Sequence, residues 1–305
     1  MKILVTGATG FTGQRVLPLL NGKGDVRCFV RSTSDIQKIT NFDYEIAYGD
    51  LADLASLKHA MTGCDALINI ASLGFGHAPG IVKTVEECGI KRAVFISTTA
   101  LFTQLNADSK SLRQEAEDRI NASNLNWTIL RPTMIYGAPD DRNMIRFIRF
   151  IARSPLIPVF GSGDYLQQPV HVKDVAEAIV AVLFSDETIK KEFNISGKFP
   201  HTYNELVDLT ADALDKKVVK IHIPFKPSLY AFRLYEKLSA KPLIKSEQIM
   251  RLNENKDCDH SAAKNMFGFN PVSFEEGITK EVEMYRKLLT GRNAIIDELE
   301  SPEQD

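Results

Sequence analysis

Short unbroken apolar blocks punctuate the first 130 positions of the chain: KILVT at 2–6, VRCFV at 26–30, YEIA at 44–47, ALINI at 66–70, AVFIS at 93–97 and WTIL at 127–130. Continuous blocks of this length, rather than strict alternation, are expected of strands covered on both faces of a parallel sheet. Between them the apolar residues move to helical spacing. The pattern predicts a helix opening at Gly13 with Val16, Leu17 and Leu20 on one face, then helices over 54–61, 80–88 and 109–123. In the last of these Leu112, Ala116 and Ile120 fall four apart and form one face toward a sheet. Pro18 disturbs the first helix, because it removes one hydrogen bond and crowds the preceding turn. Strands alternating with helices imply right-handed βαβ units and an α/β, Rossmann-type doubly wound parallel sheet over residues 1–135.

After Arg131 the pattern breaks up at Pro132, Pro139, Pro155, Pro158 and Pro169. A smaller, interleaved mixed α/β lobe is expected over 136–291, with helices over 203–214, 228–238 and 273–289. The block EFNIS at 192–196 is expected to return as a strand of the main sheet. From Arg292 the chain is acidic, and 292–305 is expected to be a frayed tail.

Composition narrows the chemistry. Lys and Arg number 37 against 39 Asp and Glu, so the formal charge of −2 gives no electrostatic ground for nucleic acid as a partner. The cysteines at 28, 64, 88 and 258 lack the spacing of a disulfide framework or zinc site, so no metal is expected and a reducing, cytoplasmic setting is. No apolar run reaches the roughly 18 residues of a membrane span, and no signal-peptide pattern precedes the first strand, so no membrane partner is expected.

The clearest chemistry lies in Gly7-Ala-Thr9-Gly10-Phe11-Thr12-Gly13, between the first strand and the first helix. A dinucleotide diphosphate needs main-chain N–H groups and a helix N-terminus, and a side chain in the tight turn would hold it off. At the end of the second strand Arg31 and Ser32 suit the 2′-phosphate of NADP better than the ribose hydroxyl of NAD, although NAD remains possible.

This spacing resembles the short-chain dehydrogenase/reductase superfamily, in its extended and atypical branches, and the resemblance runs along nearly the whole chain. Asp50-Leu51 is similar to the family's adenine-contacting position, and Ile70-Ala71-Ser72 to the turn behind the nicotinamide ribose. Leu130-Arg131-Pro132-Thr133, running on to Tyr136-Gly137, resembles the RPxxxYG segment, and Val170-His171-Val172-Lys173-Asp174-Val175-Ala176 a later landmark. Asn194 to Gly197 and Phe267 to Pro271 complete the set. The resemblance implies an NAD(P)-binding oxidoreductase or epimerase moving hydride to or from a small carbonyl, alcohol or sugar-like substrate. NmrA-like regulators and a complex I accessory subunit of the same branch imply an alternative, a catalytically silent NADP(H)-binding module.

The resemblance also shows what is missing. The family's Tyr-x-x-x-Lys pair would fall at Ser109 and Arg113, and neither residue does the work of a phenol or a tunable lysine. Thr99 occupies the family's substrate-facing hydroxyl position. Lys110, His77, His171 and Tyr136 are the conceivable substitutes for proton transfer, with His77 in Leu73-Gly-Phe-Gly-His-Ala-Pro-Gly80 preferred as donor. Arg142, Arg146, Arg149 and Arg153 form one basic stripe, expected to face water. Gln167 and Gln168 stand where nucleotide-sugar epimerases carry a diphosphate-binding arginine, which argues against a UDP-sugar.

Overall fold

The computed structural model describes residues 1–40, 44–105, 108–239 and 246–300. Strands β1 (Lys2–Thr6), β2 (Asp25–Val30), β3 (Glu45–Tyr48), β4 (Ala66–Asn69), β5 (Arg92–Ile96) and β6 (Asn126–Pro132) lie parallel in one sheet. Strand Lys191–Ile195 pairs with β6 and closes the seven-stranded order Lys191–Ile195, β6, β5, β4, β1, β2, β3. Helices α1 (Gly13–Leu20), α2 (Leu54–Met61), α3 (Ala78–Glu87) and α4 (Asp108–Asn121) supply crossovers, as does Val172–Leu183 before the last strand.

The apolar blocks are explained by the two cores. Ile3 and Val5 of β1 face one core with Val16, Leu17 and Leu20, while Leu4 faces the other with Leu57, Leu67 and Ile81. Successive residues point to opposite faces, so a strand covered on both sides has no position left for a polar side chain. Pro18 lies inside α1, two residues before its end at Leu20, and gives up the bond its N–H would make to the Gln14 carbonyl.

Helix α4 differs from its expectation. Ala116 and Ile120 are buried, but Leu112 is 39% exposed. The position beside Ala116 is instead the buried Glu117, whose carboxylate accepts from Arg131 Nε at 3.0 Å and Nη2 at 2.5 Å. Arg131 also reaches Glu192, so one guanidinium ties α4, β6 and strand Lys191–Ile195 together.

The chain divides into two units. The first is Met1–Ile135, Gln168–Lys198 and Lys256–Pro271; the second is Tyr136–Gln167, Phe199–Asn255 and the chain from Val272. More of the second half therefore belongs with the sheet than the single strand at 192–196. The second unit has its own core, with Ile145, Ile148, Leu206, Phe274 and Ile278. Its last helix runs Phe274–Glu300, and residues 301–305 of the expected tail lie outside the described part.

Inside the second unit two carboxyl groups, Asp141 and Glu281, are buried and hydrogen-bond each other. That bond requires one proton between them, and the Gly137 N–H donates to Glu281 at 2.9 Å. Burial first, then the Asp141 charge, pushes the Glu281 carboxyl up to about 9. The folded state thus keeps a proton that the unfolded chain releases above about 4.5. Stability from this group is full below that pH and falls as pH rises toward 9. Glu281→Gln offers Asp141 a permanent donor and has nothing to ionise. Thermal unfolding from pH 5 to 9 is expected to show a flatter profile for this variant, with a gain of roughly 1–3 kcal/mol over the parent at pH 8.

Candidate functional site

The carboxyl ends of β1, β2 and β4 open onto a cleft of about 630 Å³ lined by residues of the sheet unit. Its floor is the glycine turn. Gly7 adopts φ +71°, a conformation that disfavours any other residue, and a Cβ there would lie 2.9 Å from the Ala71 nitrogen. A Cβ at Gly13 would lie 2.3 Å from the Gly7 carbonyl oxygen and 2.5 Å from that of Ala8. Glycine therefore lets α1 begin in direct contact with the strand that precedes it.

The start of α1 is also left open. Thr12, at the N-cap, makes no side-chain cap bond, and the first turn holds no acidic residue. The main-chain N–H groups of Phe11 and Thr12 donate to no acceptor among the described residues. Unspent donors at an uncapped helix N-terminus, reached over a glycine floor, fit a diphosphate. The group these residues would hold is a nicotinamide dinucleotide.

Around the floor the structure brings together Gly7, Thr9, Gly10, Arg31, Asp50, Leu51, Ala71, Ser72 and His77 as cleft-lining residues. Asp50 fixes its own turn, its carboxylate accepting from Ala52 N–H at 2.9 Å, and Ser72 accepts from Gly74 N–H at 3.2 Å. Phe11, Thr12, Gly13, Ser32, Pro132 and Thr133 are not among the lining residues. Thr133 is buried and donates to the Gln168 carbonyl at 2.5 Å.

Several wall residues escaped the sequence reading. Ser34 rather than Ser32 lines the cleft beside Arg31. Phe29 and Gly49 close the wall, and a Cβ on Gly49 would strike the Phe29 ring at 2.5 Å. Phe75 also lines the cleft, 75% exposed. Asn69 pins the floor: Thr6 donates to its carbonyl at 2.8 Å, and its amide donates to the Ala71 carbonyl at 3.0 Å. An asparagine ending the apolar block ALIN was the available signal.

The candidate catalytic groups separate. Thr99 follows β5, its hydroxyl donating to the Pro132 carbonyl at 3.4 Å and bonding the Cys258 thiol. Burial and Asp257 push that thiol up, and Thr99 opposes the shift. Lys110 donates to the Thr103 carbonyl at 2.6 Å, an anchoring role for the loop before α4. Arg113 lies over Gly74, its Nε 3.2 Å from where a Cβ would stand. His171 caps the helix Val172–Leu183, accepting from Lys173 N–H at 3.2 Å. Tyr136 is 1% exposed in the core of the smaller unit, its hydroxyl donating to the Phe274 carbonyl at 3.5 Å. Gln168 pins main chain, donating to the Gly197 carbonyl and accepting from Cys258 N–H. Ser109 falls in the first turn of α4. No group of three metal-ligating side chains occurs among the described residues.

Comparison with known proteins agrees with this geometry. A family model described as NAD(P)H-binding matches residues 7–186. A ceramide reductase of Caulobacter vibrioides is 25% identical, covering 93% of this chain and 94% of the relative. An N-acetyl-alpha-D-glucosaminyl-diphospho-ditrans,octacis-undecaprenol 4-epimerase of Escherichia coli O157:H7 is 20% identical, covering 92% and 94%. The crystal structure of a UDP-glucose 4-epimerase of Thermotoga maritima has a TM-score of 0.74 at 19% identity, covering 95% of this chain and all of that one.

Gly13→Ala places a methyl group against two carbonyl oxygens and forces α1 away from β1. Calorimetric titration with NADPH is expected to show affinity reduced on the order of 100-fold, or about 2.7 kcal/mol. Unchanged affinity in the folded variant would remove the turn from the site.

Proposed function

The chain belongs to the NAD(P)H-binding family, with an extended short-chain dehydrogenase/reductase fold, and we propose that it is an NADPH-dependent reductase acting on a carbonyl attached to a long apolar group. The observation that carries this reading is the cleft itself: Gly7 and Gly10 in its floor, helix N–H donors left open beside that floor, and the cationic Arg31 in its lining.

Arg31 and Ser34 supply a cation and a hydroxyl for a ribose 2′-phosphate, and no carboxylate follows β2 directly to prefer the free 2′-hydroxyl of NAD. Asp50 and Leu51, which line the cleft, would border the adenine, and Ala71 and Ser72 would back the nicotinamide ribose. When bound, the nicotinamide exchanges hydride with the substrate carbon. Thr99 then orients the substrate oxygen through its hydroxyl, and His77, at the cleft wall, donates the proton that a phenol supplies in related enzymes.

Two considerations support an apolar substrate over a nucleotide sugar. Gln167 and Gln168, where an arginine would grip a diphosphate, include a carboxamide already committed to main chain on both sides. One of the curated relatives described above is named a ceramide reductase. Four free cysteines suit a reducing, cytoplasmic location.

The test pairs titration with turnover. NADPH is expected to bind more tightly than NADH, and Arg31→Ala to weaken NADPH by roughly tenfold, about 1.4 kcal/mol, with little effect on NADH. Oxidation of NADPH at 340 nm is expected with long-chain ketones, and Thr99→Val and His77→Gln should each lower kcat without altering NADPH affinity. Tight NADPH binding without turnover on any carbonyl tested would instead identify a cofactor-sensing module.

A further inference from the structure

The helix Phe225–Leu238, in the smaller unit, reverses the usual arrangement of a surface helix. Its inward side holds Ser228, buried, with Leu229 and Phe232 partly so. Phe232 meets Phe160 edge-on at 5.4 Å. The side opposite the core, where charge is expected, carries Tyr230, Leu234 and Leu238 at 79%, 59% and 78% exposure. Their spacing of four places them in one stripe along the helix.

One flank of that stripe is cationic. Lys226, Arg233 and Lys237 are exposed, and none pairs with a carboxylate among the described residues. The single acid of the helix, Glu236, is half-buried and accepts from Ser246 N–H and Oγ at 2.8 and 2.7 Å. The apolar surface continues beyond the helix. Strands Leu156–Phe160 and Val219–Ile223 pair in parallel, with Leu156 opposite Val219 and Phe160 opposite Ile223. Phe232 covers the Phe160 end. On the same outward face Leu156, Val219 and Ile221 remain 50%, 61% and 43% exposed.

We propose that this face docks the protein on an anionic lipid bilayer, with Tyr230, Leu234 and Leu238 entering the headgroup boundary and Lys226, Arg233 and Lys237 held by lipid phosphates. An apolar stripe with a cationic margin is the pattern of a helix lying in a membrane interface, where burial and charge attraction act together. Tyrosine suits the boundary, its ring in the acyl region and its hydroxyl in water. A second copy of the chain fits less well. Antiparallel pairing of two such helices would set the cationic flank against itself. No helix of the described residues is long and apolar enough to cross a membrane, so the contact is peripheral. The docking face and the cofactor cleft belong to different units, so loss of one leaves the other measurable.

Sedimentation of the full chain with vesicles tests this. The protein is expected to pellet with phosphatidylcholine–phosphatidylglycerol vesicles at low salt and to stay in solution with phosphatidylcholine alone. Leu234→Asp with Leu238→Asp should weaken vesicle binding at least about tenfold, leaving NADPH affinity unchanged. Arg233→Glu with Lys237→Glu should abolish the preference for the anionic lipid. Should the double aspartate variant misfold, Tyr230→Ser, a single exposed change, gives the same comparison. Parent protein left in the supernatant with both vesicles overturns the proposal. So does a concentration-dependent dimer abolished by Leu234→Asp, which would make the face an interface between copies.

Discussion

The cofactor cleft of the sheet unit depends on a steric constraint: α1 must start within contact distance of the turn that leads from β1. The Gly13 α-carbon sits so near the Gly7 and Ala8 carbonyls that no side chain fits, and the Gly7 backbone turns through a positive φ to make that approach. Everything chemical at the site follows from this contact. It brings the helix N-terminus and its unspent N–H groups to the end of the sheet, where a diphosphate would meet main chain rather than side chains.

Polar pins hold the surrounding frame. Thr6 and Asn69 join the ends of β1 and β4 beside the turn, and Arg131 joins Glu117 to Glu192 across three elements. Thr6 and Asn69 stand inside blocks that are otherwise apolar. A buried ion pair adds little net stability compared with an apolar substitute, yet removing one partner strands the other charge, so such groups specify one arrangement of helix and strands. The Asp141–Glu281 pair does the same in the smaller unit, with a shared proton in place of a counter-ion.

The separation of duties between units gives the protein its character. The cofactor cleft lies in the sheet unit, while the smaller unit carries an exposed apolar stripe beside cationic residues that pair with no carboxylate among the described residues. With the tyrosine–lysine pair absent, the proton donor proposed above, His77, sits just ahead of α3, and positions outside strands and helices are not legible from periodicity.

The amino-acid sequence by itself determined the sheet, its crossovers and the dinucleotide turn, because short continuous apolar blocks and glycines at fixed offsets are local signals of burial and close approach. Folding decided what depends on neighbours distant in the chain. Ser34 rather than Ser32 borders the cleft, Gly49 and Phe29 meet to form a wall, and Lys110 is drawn to Thr103. Leu112 turns to solvent because its helix rotates to present Glu117 to an arginine on β6. The reversed face of the helix Phe225–Leu238 also emerged only there. The sequence predicts a helix over 228–238 without assigning its faces, and only the packed structure shows which side is covered and which is exposed, because that depends on neighbours distant in the chain such as Phe160.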